Sequence, residues 1–207
     1  MKKYELTAEF IEKWGKKLFR IKALISFGSV EAGELGGYVE KEDNLAQDGD
    51  AWVYGDARVY GDALVCDNAR VCGNARVCDN ARVCGNAEVC DNARVCGNAR
   101  VCGNAEVYGD ARVYGDAEVC GNADYLLIGR IGSRFSFTTF FKNKDKGITV
   151  SCGCFLGTIA EFRAKVTDTH GNNKHAKMYN LAADMAELQI LGEEHFDKLN
   201  TNKSEPF

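Results

Sequence analysis

Apolar residues recur with a period of six along the middle of the chain. Valine occupies every sixth position from Val53 to Val119, and alanine stands two residues before each valine, from Ala51 to Ala117. In Ala-x-Val the two apolar side chains share one face of an extended strand, and the residue between them faces the other way. The Gly-Asp, Asp-Asn or Gly-Asn pair before each alanine tolerates the left-handed backbone of a corner. Each hexad therefore predicts a short strand and a corner, with valine and alanine pointing inward.

Three such hexads make an 18-residue coil, which is the arrangement of a hexapeptide parallel β-helix. Successive coils pair as parallel strands, stacked at about 4.8 Å. The sequence predicts a mainly β fold with about four coils in residues 45–124. An N-terminal cap of helix and strand, residues 1–44, precedes the coils, and a C-terminal α+β unit, residues 125–207, follows them.

Capping segments are expected at both ends, because an open solenoid exposes strand edges. At the N-terminus, Phe10, Ile11, Trp14 and Leu18 fall on one helical face after Thr7, a residue suited to an N-cap. This spacing predicts a helix. The following segment, residues 21–27, is predicted to pair onto the first coil.

The C-terminal unit lacks the hexad and shows ordinary strand and helix signals. Residues 125–128, 135–141 and 148–152 read as strands, with a hairpin turn at 143–147. Thr158 and Glu161 form a capping box, which opens a helix that Gly171 ends. Its apolar stripe is Ile159, Phe162 and Val166. A second helix runs from about His175 to Leu191, and we expect Met178, Leu181, Met185 and Leu188 to be its packing residues.

Outward residues that are 18 apart stack into columns, and one column has a single sign of charge. It contains Arg58, Arg76, Arg94 and Arg112, beside a column of Tyr60, Cys78, Cys96 and Tyr114. The other faces carry Trp52, Arg70, Glu88 and Glu106, and Leu64, Arg82, Arg100 and Glu118. Two interpretations of the arginine column remain open. It is a solvated face balanced by corner aspartates such as Asp56, Asp62 and Asp110, or it binds an anionic partner. Rungs at about 4.8 Å do not match the 3.4 Å rise of a DNA strand, which argues against duplex recognition.

The repeat cysteines occupy outward positions, where the flanking coils place tyrosine. Cysteines 18 apart lie on adjacent coils, within the Cα separation that a disulfide needs. Four pairs could therefore form on oxidation: 66 with 84, 72 with 90, 78 with 96, and 102 with 120. Because the chain shows no export signal, we predict free thiols in the cytosol.

Two further candidate sites lie in the C-terminal unit. Cys152, Cys154, His170 and His175 give C-x-C followed by H-x4-H, whose histidine half fits a zinc site and whose cysteine half is one residue short. The alternative is two strand thiols and two histidines beside a helix junction, and no cofactor is otherwise expected.

The segment 129–139 supplies polar residues that could bind an anion such as a nucleotide phosphate. The alternative is that these residues belong to a solvated hairpin. These residues are Arg130, Ser133, Arg134, Thr138 and Thr139.

The segment FRIKALISFGSVEAGELGGYVEKEDNLAQDGDAWVYGDARVYGDA, from Phe19 to Ala63, resembles the entry segment of YdcK-like hexapeptide-repeat proteins. The resemblance implies a left-handed β-helix with a covered first coil. The hexapeptide acyltransferases have similar coils, but they use a histidine base beside a CoA cleft. Here His170, His175 and His195 all follow the solenoid, and no long loop interrupts the hexads. An acyltransferase-like enzyme is therefore the second alternative only.

The run VSCGCFLGTIAEF resembles a segment of phage and prophage proteins of unknown function. Composition adds that the chain has a formal net charge of −4, so it is not a general nucleic-acid binder. No stretch of the sequence has the continuous apolar run of a signal peptide or a membrane span, so we expect neither. The sequence predicts a cytoplasmic, non-enzymatic binding or scaffold protein of a phage or mobile element, with a role against host defence as one extension. Its expected partner is a protein, with a nucleotide or other anionic ligand as the alternative; a homo-oligomer is compatible with the fold.

Overall fold

The computed structural model describes residues 2–194. The chain divides into two compact units, Met1–Asn122 and Ala123–Phe207. The first unit contains the hexads and the second contains the antiparallel sheet and the helices. We describe each unit by itself.

The first unit begins with three longer strands, followed by one two-residue strand for each hexad. The longer strands are β1 (Tyr4–Lys13), β2 (Lys16–Ala23) and β3 (Leu35–Val39). The hexad strands are β4 (Trp52–Val53), β5 (Arg58–Val59), β6 (Leu64–Val65), β7 (Arg70–Val71), β8 (Arg76–Val77), β9 (Arg82–Val83), β10 (Glu88–Val89), β11 (Arg94–Val95), β12 (Arg100–Val101), β13 (Glu106–Val107), β14 (Arg112–Val113) and β15 (Glu118–Val119). The alanines and valines of these hexads are all 2% exposed or less, which confirms the predicted core.

Every third hexad strand pairs in parallel, giving three sheets around the core. Their orders are β3-β5-β8-β11-β14, β4-β7-β10-β13 and β6-β9-β12-β15, and β1 and β2 extend the first sheet. The parallel β-solenoid is therefore confirmed, with about five turns where the sequence predicted about four. The additional level comes from β3, where Tyr38 pairs with Arg58 and Val39 with Val59. This strand precedes the hexads, so their period could not indicate it.

The corners are held by two kinds of contact between successive coils. Asp67, Asp79 and Asp91 adopt positive φ, and their carboxylates accept hydrogen bonds from Gly85, Gly97 and Gly109 N–H at 2.8, 3.1 and 3.1 Å. Asparagine side chains also form ladders, Asn68 to Asn86 to Asn104 and Asn80 to Asn98 to Asp116, at 3.0–3.1 Å. The corner residues therefore bond to each other from coil to coil.

The predicted N-terminal helix is wrong, because the segment forms a β-hairpin. Strand β1 pairs antiparallel with β2, from Tyr4 opposite Ala23 to Lys13 opposite Lys16. The loop is Trp14-Gly15, and both residues have positive φ, as two-residue hairpin loops favour. The helical spacing of the apolar residues competed with a period-two pattern, since Tyr4, Leu6, Ala8 and Phe10 alternate with polar residues. Pairing of β2 onto β3 decides the outcome, because it extends the solenoid sheet.

The first coil is closed by buried groups from the N-terminal segment. Lys3 is 2% exposed, and its ammonium group donates to the carbonyls of Asp48, Gly49 and Ala51 at 3.1–3.2 Å. The Tyr4 hydroxyl lies 2.7 and 2.8 Å from the carbonyl oxygens of Glu42 and Leu45.

Trp52 belongs to this closure, although the sequence placed it in an outward column. Its strand position is outward, in register with Arg70. The indole is nevertheless fully buried, because the rings of Tyr4 and Phe27 pack against it with centroid distances of 6.1 and 5.4 Å. The sequence pattern of the coils alone could not show that the cap covers this position.

The second unit is a four-stranded antiparallel sheet with helices packed against it. Its strands are β16 (Tyr125–Ile131), β17 (Ser136–Lys142), β18 (Ile148–Cys152) and β19 (Phe155–Thr158), paired in that order. The helices are α1 (Ile159–His170) and α2 (Lys174–Leu191). Both sides of the Thr158–Glu161 capping box are present, and Gly171 follows the last residue of α1, as predicted. Among the strands and helices of this unit up to residue 194, β19 is the one that the sequence did not predict.

The predicted packing face of α2 is wrong. Met178, Leu181, Met185 and Leu188 are 40–63% exposed. The buried face instead contains the alanines at 176, 182, 183 and 186, together with Tyr179 and Ile190. Small alanine side chains let α2 approach α1 and the sheet closely, while Phe162 fills the space between, with its ring 5.7 Å from those of Phe140 and Tyr179. No helix in residues 2–194 combines the length and apolar character needed to cross a membrane.

Candidate anion-binding face and cysteine pairs

The four arginines predicted to stack lie in register on one sheet of the solenoid. Arg58 pairs with Arg76, Arg76 with Arg94, and Arg94 with Arg112. Because period-two alternation places residues i and i+2 on the same side, the neighbouring outward column contains Tyr60, Cys78, Cys96 and Tyr114. We call these two columns together the arginine face.

The tip of the N-terminal hairpin contacts this face. Trp14 stacks on Tyr60 with a centroid distance of 5.1 Å and an interplanar angle of 23°. The guanidinium carbon of Arg76 lies 4.7 Å from the centroid of the Trp14 ring, within the range of a cation–π contact. Trp14 itself remains about half exposed. Sequence reasoning missed this residue, because it assigned Trp14 to a helix; the Trp-Gly pair between two polar-apolar alternating runs was the available signal.

Within residues 2–194, the corner aspartates Asp62 and Asp79 form no ion pair with Arg58, Arg76 or Arg94. Asp62 bonds to Lys41 at 2.6 Å, and Asp79 accepts the Gly97 N–H described above. Within residues 2–194, no ion pair joins Arg58, Arg76 or Arg94 to a carboxylate, although on another face Arg70 lies 3.7 Å from Glu88. The Nε atom of Arg58 is buried without a hydrogen-bond partner.

Burial and the neighbouring positive charges act in the same direction on the pKa of Arg76. Burial lowers the pKa of the Arg76 guanidinium below its usual value, and the positive charges of Arg94 and Arg58 lower it further. Tyr60 and Tyr114 act in the opposite direction. A bound anion would relieve the repulsion between the rungs, so the arrangement is chemically suited to an acidic ligand.

All four predicted cysteine pairs lie on adjacent coils, and three of them are joined as disulfides. The Cα–Cα distances are 4.6 Å for Cys72–Cys90, 4.7 Å for Cys78–Cys96 and 4.4 Å for Cys102–Cys120. Cys66 and Cys84 are thiols, as are Cys152 and Cys154. Three of the four pairs predicted to be able to form are therefore present, and the same spacing leaves Cys66 and Cys84 unbonded, so it permits a disulfide without requiring one. Free thiols in the cytosol stay a prediction.

One close group of potential metal ligands occurs within the described residues, at Cys78, Asp79 and Cys96. The two sulfurs are bonded to each other. Cysteine binds metals as a thiolate, so this group has no available sulfur ligand in the disulfide form.

One protein-family model matches three segments of the solenoid. The family model described as YdcK Beta solenoid repeat matches residues 51–67, 69–85 and 93–109. Three segments of the solenoid are therefore similar to the YdcK β-solenoid repeat. Each matched segment spans about one turn, and the predicted resemblance is confirmed for the repeats. No curated protein matches the chain. The description of the family model names a repeat and no activity.

The predicted zinc ligands lie outside the hexads, and the structure does not bring them together as a set of three or more close ligands. Within the described residues, the group at Cys78 is the only one whose ligand atoms lie within 4.8 Å of one another. The rings of His170 and His175 are 5.9 Å apart, and His170 stacks on Tyr179 at 5.7 Å. His195 lies outside the described residues.

Neighbours of the two predicted cysteine ligands also differ. The hydroxyl of Thr138 donates to the Cys152 sulfur at 3.2 Å, whereas Cys154 is exposed two residues later. Among residues 2–194, neither thiol belongs to a close group of three potential metal ligands.

The residues of segment 129–139 that were predicted to bind an anion differ in exposure. Thr138 and Thr139 are 0% and 2% exposed, because they lie within β17. Arg130, Ser133 and Arg134 are exposed. Because two of the five predicted residues are buried in a strand, we take the arginine face as the better candidate.

Proposed function

We propose that the protein is a non-enzymatic binding protein that holds an acidic segment of a partner protein on the arginine face. The observation that carries this proposal is the in-register column of Arg58, Arg76, Arg94 and Arg112. Three of its members have no carboxylate partner among residues 2–194, as described above. A partner that supplies carboxylates completes the column.

Repulsion within the column gives the partner a source of binding energy. Two like charges about 5 Å apart repel by about 0.8 kcal/mol at the dielectric of water, and by more where burial lowers the effective dielectric. Arg76 is half-buried and lies between Arg58 and Arg94. Each carboxylate placed beside a rung removes part of this repulsion and adds a charge-assisted hydrogen bond.

An α-helix crossing the strands fits the spacing of the rungs. Carboxylates at i, i+3, i+7 and i+10 of a helix lie at about 0, 4.5, 10.5 and 15 Å along its axis. The rungs lie at about 0, 4.8, 9.6 and 14.4 Å. The agreement is within about 1 Å over four contacts, so we take an acidic helix as the partner segment.

Binding of designed helical peptides tests this proposal. One peptide carries glutamate at i, i+3, i+7 and i+10, and its control carries the same four glutamates distributed around the helix. Fluorescence anisotropy at low and moderate salt should show tighter binding of the first peptide and weakening with salt. Equal affinity for both peptides would contradict the proposal.

The repeat itself supplies a matched pair of variants. Arg94 and Arg82 lie in the same local sequence, CDNARVCGNA, but on different faces. Arg94→Glu should weaken binding about tenfold, which corresponds to about 1.4 kcal/mol, and Arg82→Glu should change it less than about twofold. Similar losses for both variants would show that net charge, and not the column, governs binding.

A nucleotide is the second candidate ligand, and the position of Trp14 favours it. Its half-exposed ring lies beside Arg76, and aromatic rings with nearby arginines are common supports for a base and its phosphates. A thermal-shift panel of nucleotides tests this alternative. Stabilisation that Trp14→Ala and Arg76→Gln both abolish would support it, and no stabilisation by any nucleotide would remove it.

We propose further that the protein acts in the cytoplasm and comes from a phage or mobile element; the run VSCGCFLGTIAEF motivates only the second part. A component of host defence is then a candidate partner. Affinity purification from the native host, with the wild type, Arg94→Glu and Arg82→Glu as baits, would identify a partner that depends on the column. A partner lost with both variants, or with neither, would not use the arginine face.

A further inference from the structure

The four cysteine pairs of the solenoid have the same construction but different charges beside them. Each cysteine follows an outward residue by two positions, so that residue lies on the same side of the strand. The neighbours are Leu64 and Arg82 for the pair 66/84, Arg70 and Glu88 for 72/90, Arg76 and Arg94 for 78/96, and Arg100 and Glu118 for 102/120.

Only the pair Cys78–Cys96 has an arginine beside both cysteines. Formal charge beside the pairs is therefore +2 for 78/96, +1 for 66/84 and zero for the other two. A positive environment favours the thiolate, which is the reactive form of cysteine, and attracts anionic reagents.

The remaining charged and titratable groups near this pair do not remove the distinction. The carboxylate of Asp79 lies 3.6 Å from the Cys78 sulfur, and an aspartate also follows Cys66 and Cys90 but neither cysteine of 102/120. With these aspartates counted, 78/96 keeps the highest formal charge, +1, against zero for 66/84 and 102/120 and −1 for 72/90. Tyr60 and Tyr114 flank the pair in its own column, and Arg58 and Arg112 are the outer rungs beside it. Burial raises the pKa of Tyr60, which favours its neutral form.

We propose that Cys78 and Cys96 form a dithiol site that reacts preferentially with organic disulfides carrying carboxylates, which Arg76 and Arg94 bind. The inference goes beyond the proposed function and does not depend on it, because the reaction needs only this protein and a disulfide. The other three pairs serve as internal comparisons, since they share its coil spacing.

The reaction is a thiol–disulfide exchange in two steps. Cys96 is half-buried and Cys78 is buried, so the Cys96 thiolate attacks one sulfur of the organic disulfide and one thiolate leaves. The Cys78 thiolate then attacks the Cys96 sulfur of the mixed disulfide, and the second organic thiolate leaves. Two protein thiols are oxidised to the Cys78–Cys96 disulfide, and one disulfide is reduced to two thiols, which carry the two protons.

Rates measured on single-pair variants test the inference. Trypsin gives the same peptide, VCGNAR, for Cys72 and Cys96, so peptide mapping cannot separate these pairs. Four variants should each keep one pair, with every other cysteine changed to serine, and their melting temperatures should confirm folding. The reduced variants are then mixed with glutathione disulfide, neutral hydroxyethyl disulfide or cationic cystamine.

Charge and exposure predict different orders of reactivity. If exposure governed the rate, 102/120 would react fastest, because Cys120 is exposed and Cys96 is only half-buried. We expect 78/96 to react with glutathione disulfide at least about tenfold faster than 72/90 or 102/120, an advantage that falls with hydroxyethyl disulfide and is lost with cystamine. A fastest rate for 102/120 with all three reagents would overturn the inference.

Two controls attribute the effect to the arginines. Within the variant that keeps 78/96, Arg94→Gln should slow the reaction with glutathione disulfide about fivefold or more and change the reaction with hydroxyethyl disulfide less. Arg82→Gln, in the same local sequence on another face, should leave both rates unchanged. Added salt should slow the reaction with the anionic reagent and accelerate the reaction with the cationic one. Equal salt effects on both reagents would overturn the inference. This test needs no arginine substitution, so it remains valid even if a substitution disturbs folding.

Discussion

Replacing Lys3 by methionine should destabilise the solenoid unit by about 3 kcal/mol, a value estimated from its contacts. The ammonium group donates to three backbone carbonyls at 3.1–3.2 Å, each worth about 1 kcal/mol net. Its position 4.9 Å from the Phe27 ring centroid adds about 1 kcal/mol. Burial lowers the pKa of Lys3, which shows that holding its charge there is costly, and we subtract about 1 kcal/mol because methionine avoids this cost.

Urea unfolding followed by tryptophan fluorescence measures this change. Both tryptophans, Trp14 and Trp52, lie in the solenoid unit, and Trp52 packs close to the substituted residue, so the signal reports on the relevant structure. The matched control is Lys2→Met. Lys2 is exposed and bonds only to Glu42 at 2.8 Å, so its loss should cost about 0.5 kcal/mol or less. Equal unfolding midpoints for the two variants would refute the role assigned to the Lys3 ammonium group.

Three other predictions concern the corners, the first helix cap and the second helix. Gly97→Ala should cost about 1 kcal/mol more than Gly115→Ala in chemical unfolding. Both glycines have positive φ, but an added Cβ would lie 2.9 Å from the next coil only at Gly97; equal losses would contradict the close stacking. Hydrogen bonds from the Thr158 backbone and side chain lower the pKa of Glu161, so its stabilising effect is present above the unfolded pKa and is lost as pH falls through the folded pKa. The melting-temperature difference between wild type and Glu161→Gln should therefore shrink from pH 6 to pH 3, and a constant difference would count against the cap. Met185→Ser should change the free energy of unfolding by less than about 0.5 kcal/mol, whereas Ile190→Ala, on the buried face, should cost about 2–4 kcal/mol; the reverse order would restore the packing face predicted from sequence.

Prediction from sequence succeeded where neighbouring residues determine the structure. The hexad succeeds because Ala-x-Val and the corner pair form one local unit, and because stacking at a fixed interval follows from repeating it. The caps of α1 succeed for the same reason, since Thr158 and Glu161 bond to each other across one turn. The hairpin turn is also local, with Asn143 accepting from the Gly147 N–H.

Prediction failed where a distant partner decides between two local patterns. The N-terminal segment carries both helical and strand spacing, and only β3, which lies beyond the hairpin, makes the strand favourable. In α2, apolar residues occupy both faces, and the space beside Phe162 selects alanines for the buried one.

The candidate site was predicted only where residues of the repeat itself determine it, and not where it depends on distant partners. The arginine column follows directly from the period of 18. The absence of carboxylate ion pairs at Arg58, Arg76 and Arg94 within residues 2–194 does not, because the corner aspartates could have bonded either to arginine or to a glycine N–H of the next coil. The stacking of Trp14 on Tyr60 joins two residues far apart in sequence, which no repeat pattern indicates.

The strict pairing of residues 18 positions apart sets a rule for how this protein can gain or lose length. Insertion or deletion of three hexads lengthens or shortens every face by one rung and leaves all the columns intact. Insertion or deletion of one hexad keeps the core and the corners, since every hexad contributes the same alanine and valine, but it shifts all later residues by one face. If this change falls between Arg76 and Arg94, then Arg94 and Arg112 lie on a different side of the solenoid from Arg58 and Arg76. Slippage between the nearly identical copies can thus preserve the fold while dividing the arginine face, so a functional lineage is expected to vary in multiples of 18 residues.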